Sequence, residues 1–231
     1  MKKSIGIIGG MGPMATCDLM KKIIENTSAR CDQEHVRLYV DSNTNIPDRT
    51  AAILRGGADP RPALTESAKK LQAMGADLLI MPCNTAHYFV DAVRAAVEIP
   101  VLNMQQETAA QLQRKGITTV AVLATDGTVQ SGLYDRALKA AGITPVYPDE
   151  TEQKLIMSLI YDYVKAGKDY TDLDKINAMV AHLQAQGAQG LILGCTELPI
   201  AFAPWQTAIP TFDPTLILAR AAVTAAGYQV K

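Results

Sequence analysis

The chain has 231 residues, of which 48% are hydrophobic and 19% charged, and its formal net charge is -1. These values are typical of a globular protein large enough for two small domains, and they exclude a disordered or fibrous chain. The near-neutral charge offers no basic surface for nucleic acid or an anionic membrane, so we expect neither and favour a small-molecule partner.

The first apolar run, Ile5 to Ile8, ends at Gly9 and is too short for the core of a signal peptide. No later stretch approaches the ~18 apolar residues of a membrane-spanning helix. We therefore expect a cytoplasmic protein. The four cysteines are then expected to stay reduced, and none of them has the C-x-x-C spacing of a zinc or redox site.

Strand-like and helix-like segments alternate along the whole chain, which is typical of parallel βαβ units and predicts an α/β fold. Helices are predicted over Ala63 to Met74 and Lys175 to Gln186, where apolar residues recur every three or four positions. The predicted strands are Ser4 to Ile8, Val36 to Asp41, Leu78 to Met81, Val101 to Asn103, Thr119 to Leu123, Thr144 to Tyr147, Gly190 to Leu193 and Ile209 to Phe212.

A weak internal repeat relates the two halves of the chain. The segment Leu71 to Ala76 (LQAMGA) is matched by Leu183 to Ala188 (LQAQGA), and the same register carries Cys83 onto Cys195. The repeat predicts two pseudo-symmetric domains, each a small parallel sheet flanked by helices. We place them at residues 1–103 and 104–212, and we expect residues 213–231, with a helix over 214–226, to pack back on the first domain.

Each of these two cysteines directly follows an apolar strand, at the sheet edge where open α/β proteins bind ligands. If the two edges face each other, Cys83 and Cys195 lie on opposite walls of one interdomain cleft. Opposed thiols suit the inversion of an amino acid's α-carbon, because one can remove the α-proton while the other delivers a proton to the opposite face. The alternative is that both are inert core residues, since free cysteine is often buried.

Polar residues typical of helix starts follow both cysteines, Asn84-Thr85 after the first and Thr196-Glu197 after the second. A helix N-terminus lowers the pKa of a nearby thiol, so we expect both thiols to ionise readily. The same backbone N–H groups would hold the substrate's α-carboxylate. Cys17 and Cys31 have no partner in the repeat and are interpreted as structural.

The motifs of the chain resemble the aspartate/glutamate racemase superfamily of pyridoxal-independent amino-acid racemases, most closely its aspartate racemase branch. The resemblance runs essentially end to end and is carried by GGMGP at 9–13, IPDRT at 46–50, PCNTAH at 82–87, TDGT at 125–128 and GCTELP at 194–199. It implies a two-domain α/β fold, a cofactor-free two-base mechanism and a homodimer. By analogy, Cys83 acts on the D-enantiomer and Cys195 on the L-enantiomer.

The glutamate racemase branch differs at two of these places, where it has D-S-G in the first loop and T-H-Y-P after the second cysteine. This chain has Gly9-Gly10-Met11 and Thr196 to Pro199 there. The difference argues against a dedicated glutamate racemase.

A dicarboxylic substrate also needs a cation for its distal carboxylate. Arg49 has the fork geometry that grips a carboxylate, and the resemblance adds Lys165. The alternatives are a solvated Arg49 paired with Asp48 and a solvated Lys165 at a helix end. Further predicted substrate contacts are Met11, Asn84, Thr85, Thr125, Thr128, Thr196 and Glu197.

Several of these residues have a second interpretation. The two threonines Thr125 and Thr128 could cap a helix, and Glu197 could tune Cys195 rather than orient the substrate ammonium. His87 is interpreted as structural, because a two-thiol mechanism needs no imidazole.

Three other functions are compatible with the sequence. The pattern Gly10-x-Gly12-x-x-Ala15 satisfies the dinucleotide-binding motif of an NAD-dependent oxidoreductase, although Pro13 interrupts the turn and the next strand's Asp41 lies too far along. A diacid isomerase or decarboxylase could use the same fold. A catalytically silent amino-acid-binding protein could keep the same cleft. We expect no metal and no cofactor.

Overall fold

The computed structural model describes residues 2–231. They form two compact units, residues 2–107 with 215–231 and residues 108–214. The chain passes from the first unit to the second within a single helix. Seven strands are found in the described residues: β1 Ile5–Gly9, β2 Leu38–Ser42, β3 Leu78–Ile80, β4 Thr119–Leu123, β5 Thr144–Val146, β6 Leu191–Leu193 and β7 Thr211–Phe212.

Eleven α-helices lie between and after the strands in residues 2–231. They are α1 Pro13–Asn26, α2 Arg49–Leu54, α3 Arg61–Ala73, α4 Val90–Ala95, α5 Met104–Arg114, α6 Asp126–Gln130, α7 Leu133–Ala140, α8 Glu150–Ser158, α9 Leu173–Ala185, α10 Leu198–Phe202 and α11 Pro214–Ala225. None of the helices described has both the length and the apolar character needed to cross a bilayer.

The first unit is built on a parallel sheet of order β2-β1-β3, with the wholly buried β1 in the centre. Successive residues of β1 face opposite sides of the sheet. Ile7 belongs to one core cluster with Leu19 of α1 and Leu218 of α11, whereas Ile8 belongs to another with Leu64 of α3. Both faces of this small sheet are therefore covered by helices.

The second unit contains a parallel sheet of order β5-β4-β6-β7. Leu123 of β4 packs in a core cluster with Ile156 of α8, Met179 of α9 and Phe202 of α10. The strands that repeat along the sequence therefore occupy matching positions in the two sheets: β1 and β4 are central, and β3 and β6 pair with them directly.

Most predicted elements agree with the structure within one or two residues, but the strand predicted over Val101 to Asn103 was wrong. Only Val101 pairs, in an isolated parallel bridge with Leu79. Asn103 instead starts α5, where its Oδ1 accepts a hydrogen bond from the Gln106 N–H at 3.0 Å. The helix begins at Met104, directly after this cap, and therefore ends the extended segment before a strand can form.

The strand predicted over Ile209 to Phe212 is also shorter than expected and begins at Thr211. Pro210 has no N–H to donate to the ladder, although its carbonyl accepts a hydrogen bond from Leu191 at 2.9 Å.

Candidate active site

The loop between β1 and α1 is held by a buried hydroxyl. Thr16 Oγ1 accepts a hydrogen bond from the Gly10 N–H at 2.9 Å and donates one to the Gly12 carbonyl at 3.2 Å. Gly10 has φ +88°, and a Cβ there would lie 2.3 Å from the Asn43 backbone. The side chain of Met11 is buried in the same core cluster as Cys83. This loop therefore lies against the chain that carries Cys83.

Cys83 follows β3 by three residues, and only 7% of its surface is exposed. Asn84 stands at the N-cap position of a short 3₁₀ helix, Thr85–Phe89. Both Asn84 and Thr85 are buried, and the Gln105 side-chain amide donates hydrogen bonds to the Asn84 backbone carbonyl at 3.2 Å and to its Oδ1 at 3.4 Å. The predicted residues around Cys83 are thus held in place by α5.

His87 fixes the backbone of the cysteine itself. Its Nε2 accepts a hydrogen bond from the Met104 N–H at 3.2 Å, so the proton sits on Nδ1, which donates to the Cys83 carbonyl at 2.8 Å. Burial lowers the pKa of His87 to about 4. The imidazole is therefore neutral and fully engaged, which agrees with the structural interpretation.

Arg49 is the first residue of α2, and its guanidinium is oriented by backbone. Nη1 donates hydrogen bonds to the carbonyls of Ile46 at 3.1 Å and Pro47 at 2.9 Å. Asp48 does not pair with it, because Asp48 caps α2 by accepting a hydrogen bond from the Ala51 N–H at 2.6 Å. Within residues 2–231, Arg49 has no ion-pair partner, and its buried Nε has no hydrogen-bond acceptor.

In the second unit, Thr125 directly precedes α6 and caps it. Its side chain accepts a hydrogen bond from the Thr128 N–H at 3.4 Å and donates one to Thr128 Oγ1 at 3.2 Å. Gln153 donates to the Ala124 carbonyl at 3.0 Å and to Asp126 Oδ1 at 2.8 Å, which ties α8 to the same turn. The capping interpretation of Thr125 is confirmed, and capping does not exclude binding.

Cys195 lies two residues after β6 and is 9% exposed. Its Sγ donates a hydrogen bond to Glu197 Oε2 at 2.9 Å, and Thr196 Oγ1 donates to the same oxygen at 3.0 Å. The other carboxylate oxygen, Oε1, lies 2.5 Å from Lys165 Nζ. Four predicted site residues are therefore joined in one hydrogen-bonded chain.

For Glu197 and Lys165, burial and the charge of the partner shift the pKa in opposite directions. Burial acts to raise the pKa of Glu197, but the Lys165 ammonium and the three donors outweigh it and lower that pKa. Burial acts to lower the pKa of Lys165, and the Glu197 charge outweighs it and raises that pKa. The carboxylate and the ammonium are therefore both charged at neutral pH.

The expectation that a helix start lowers the pKa of both thiols was wrong for Cys195. Burial, followed by the negative charge of Glu197, raises the pKa of Cys195 well above its usual value. α10 has only five residues and begins three residues after the thiol, so its dipole is weak there. Cys195 is therefore protonated at neutral pH.

Sequence reasoning missed several residues that support the site, namely Thr16, Gln105 and Gln153. Each is a polar residue inside a helix, and nothing in its spacing distinguishes it from a surface residue. Cys17 and Cys31, by contrast, are free and exposed. This is compatible with the expectation that neither takes part in the site.

The fold and the two cysteines define a two-unit α/β protein. In each unit, a buried free thiol follows the strand that pairs with β1 or β4, respectively. Residues 8–222 match the family model described as Asp/Glu/Hydantoin racemase, and the chain belongs to this family. The chain is therefore an isomerase of the racemase type.

Solved structures of relatives agree with this assignment. An aspartate racemase of Picrophilus torridus is 34% identical over 99% of this chain and 96% of its own, with a TM-score of 0.84. A protein of Yersinia pestis described as a putative Asp/Glu racemase is 28% identical over 97% of this chain and 99% of its own, with a TM-score of 0.85. Among curated relatives, a broad-specificity amino-acid racemase of Bacillus subtilis is 28% identical over 95% of this chain and 96% of its own.

Proposed function

We propose that this protein racemises an acidic amino acid, aspartate or glutamate, without a cofactor, and that Cys83 and Cys195 are the two proton-transfer groups. The observation that carries the proposal is the pair of buried, free thiols that follow equivalent strands of the two units. The family and the aspartate racemase relative at 34% identity support it.

In the proposed reaction, a thiolate on one unit removes the α-proton, and the electron pair of the broken C–H bond moves into the substrate carboxylate to give an enolate-like intermediate. The thiol of the other unit then delivers its proton to the opposite face of the α-carbon. One thiolate and one thiol are consumed and one of each is formed, so the net change is inversion of the substrate alone. Racemisation by this route requires that both sulfur atoms reach one α-carbon.

Arg49 is the proposed ligand of the substrate's distal carboxylate. Two backbone carbonyls already orient its guanidinium, and its buried Nε is left for an acceptor that residues 2–231 do not supply. The Nε and Nη2 edge of an arginine binds a carboxylate through two parallel hydrogen bonds. A free amino acid with a second carboxylate fits this site, whereas a neutral side chain would leave the cation without a partner.

We also propose roles for the remaining predicted contacts. Lys165 uses one of the three donors of its ammonium on Glu197, and we propose that another donor helps hold a substrate carboxylate. The α-carboxylate and ammonium are assigned to backbone and side-chain groups of Met11, Asn84, Thr85, Thr125, Thr128, Thr196 and Glu197. The mechanism needs reduced thiols, so we propose a cytoplasmic enzyme, and the superfamily resemblance suggests a homodimer.

Chiral chromatography of L- and D-aspartate, L- and D-glutamate and L-alanine after incubation with the protein tests the proposed substrate class. We expect both enantiomers of aspartate or glutamate to appear and L-alanine to remain unchanged. Conversion of neutral amino acids at comparable rates would instead support a broad specificity like that named for the Bacillus subtilis relative. No conversion of any substrate would favour a diacid isomerase or a silent binding protein.

The role of Arg49 is tested with Arg49→Gln and Arg49→Lys. We expect R49Q to lower kcat/KM for the acidic substrate on the order of a hundredfold, because the bidentate carboxylate contact is lost. R49K should recover only part of that loss, because an ammonium is a point charge without the fork geometry. An unchanged kcat/KM in both variants would remove Arg49 from the substrate site.

A further inference from the structure

The two candidate thiols have different electrostatic surroundings. Cys195 Sγ donates a hydrogen bond to a carboxylate, Glu197 Oε2, at 2.9 Å. Cys83 Sγ has no hydrogen-bond partner in residues 2–231, and the only polar contact of that residue is the one from His87 to its carbonyl. The two cysteines therefore occupy equivalent positions in the repeat, but their side chains have different neighbours.

Glu197 is held as an anion by three donors. Lys165 Nζ contacts Oε1, and the Cys195 thiol and the Thr196 hydroxyl both donate to Oε2. The side chain of Glu197 is only 11% exposed, so the solvent screens its charge weakly. A thiolate at Cys195 would lie at hydrogen-bond distance from this anion and would be repelled by it. A thiol instead donates a hydrogen bond to it.

We propose that Glu197 is a positioning residue that keeps the proton on Cys195 in the free enzyme, so that the enzyme begins turnover with its acid at Cys195 and its base at Cys83. This inference rests on the proposed two-thiol function. The enantiomer that presents its α-proton to Cys83 is then the substrate that the free enzyme can deprotonate without first moving a proton between the two sulfur atoms.

Lys165 determines how strongly Glu197 keeps the proton on Cys195. It neutralises part of the Glu197 charge, so removing the ammonium strengthens the repulsion of a thiolate at Cys195. Removing the carboxylate instead leaves Lys165 as the main charge near the sulfur. Tyr134 of α7 also interacts electrostatically with Cys195, but burial raises the pKa of this phenol, so it carries no charge at neutral pH. The Tyr161 ring lies 5.8 Å from Lys165 Nζ.

The test is alkylation of the substrate-free protein with iodoacetamide between pH 6 and 10.5, since only the thiolate reacts. Mass spectrometry after digestion gives the rate at each cysteine. In the wild type we expect Cys83 to react before Cys195 at neutral pH. For Glu197→Gln, we expect the midpoint of Cys195 alkylation to fall by about 1 to 3 pH units, because the neighbouring negative charge is gone.

Lys165→Met should move the same midpoint in the opposite direction, to higher pH. Glu197→Asp and Lys165→Arg retain the charges and serve as matched controls, and the exposed Cys17 reports whether the reagent or the fold has changed. Loss of structure would expose Cys195 and speed its alkylation in both variants, so opposite shifts are expected only from charge.

An unchanged midpoint in E197Q, or shifts of the same sign in E197Q and K165M, would overturn the proposed role of Glu197. Reaction of Cys195 before Cys83 in the wild type would overturn it as well. Alkylation needs no turnover, so these results are separate from a failure to detect racemisation. An active racemase with an unshifted Cys195 would refute this inference alone.

Discussion

At the scale of single residues, the neighbours of a cysteine determine what its sulfur can do. The Cys195 thiol donates a hydrogen bond to the ionised carboxylate of Glu197, whereas the backbone carbonyl of Cys83 accepts one from the neutral imidazole of His87. The position of both cysteines after a strand was predictable from the repeat. The pairing of Lys165 with Glu197 was not, because 32 residues separate them and the contact depends on how two helical segments pack.

His87 predicts a pH dependence of stability. Its pKa is about 4 in the folded protein and 6.5 in the unfolded chain, so the unfolded chain binds a proton first as the pH falls. The stabilisation is present above pH 6.5 and is lost as the pH falls towards 4, by about 3 kcal/mol in total.

Urea unfolding of wild type and His87→Gln between pH 4 and 7.5 checks this prediction. The variant loses the titrating group, so the difference in free energy of unfolding between the two proteins should shrink as the pH falls. A difference that stays constant over this range would show that His87 titrates normally in the folded state.

At the scale of elements, the glycine loop before α1 depends on a close backbone approach. The sequence Gly9-Gly10-Met11-Gly12 does not show which of its glycines is essential. In the structure a Cβ at Gly10 meets the Asn43 backbone, whereas a Cβ at Gly12 would meet nothing within 4 Å. The contact with Asn43 comes from the loop after β2, which local sequence does not reveal.

Gly10→Ala should therefore destabilise the protein by more than about 2 kcal/mol, because it adds a steric clash to a strained positive φ. Gly12→Ala is the matched control and should change stability by less than about 1 kcal/mol. Thermal unfolding of both variants gives the comparison. Equal losses in the two variants would contradict the role assigned to the Gly10 contact.

The helix starts show why element prediction was better than charge prediction. Thr125, Asp48 and Asn103 all cap helices, which their residue types favour. The pKa of Cys195 was expected to be lowered but is raised, because the carboxylate of Glu197, two residues later, accepts a hydrogen bond from the thiol. Such a contact depends on a side-chain rotamer rather than on the pattern of residues.

At the scale of the whole molecule, the internal repeat, whose matched residues such as Cys83 and Cys195 lie 112 positions apart, accounts for the matching strand order of the two sheets. Parallel strands place their carboxyl ends at one edge, so each unit presents its cysteine beside a polar turn. The α/β class and the position of both cysteines followed from this repeat. The strand over Ile209 to Phe212 was predicted and is present as β7, whereas its counterpart over Val101 to Asn103 is only an isolated bridge, because Asn103 caps α5.

The most direct test of the two-thiol racemase is proton NMR of D- and L-aspartate incubated with the protein in deuterated buffer, alongside Cys83→Ser and Cys195→Ser. The wild type should exchange the α-proton for deuterium and invert the substrate. Each variant should lose inversion. We expect C195S, which keeps Cys83, to retain exchange of the D-enantiomer, and C83S, which keeps only the protonated Cys195, to exchange the L-enantiomer much more slowly. Inversion that persists in either variant, or no α-proton exchange in the wild type, would contradict a mechanism that uses both thiols.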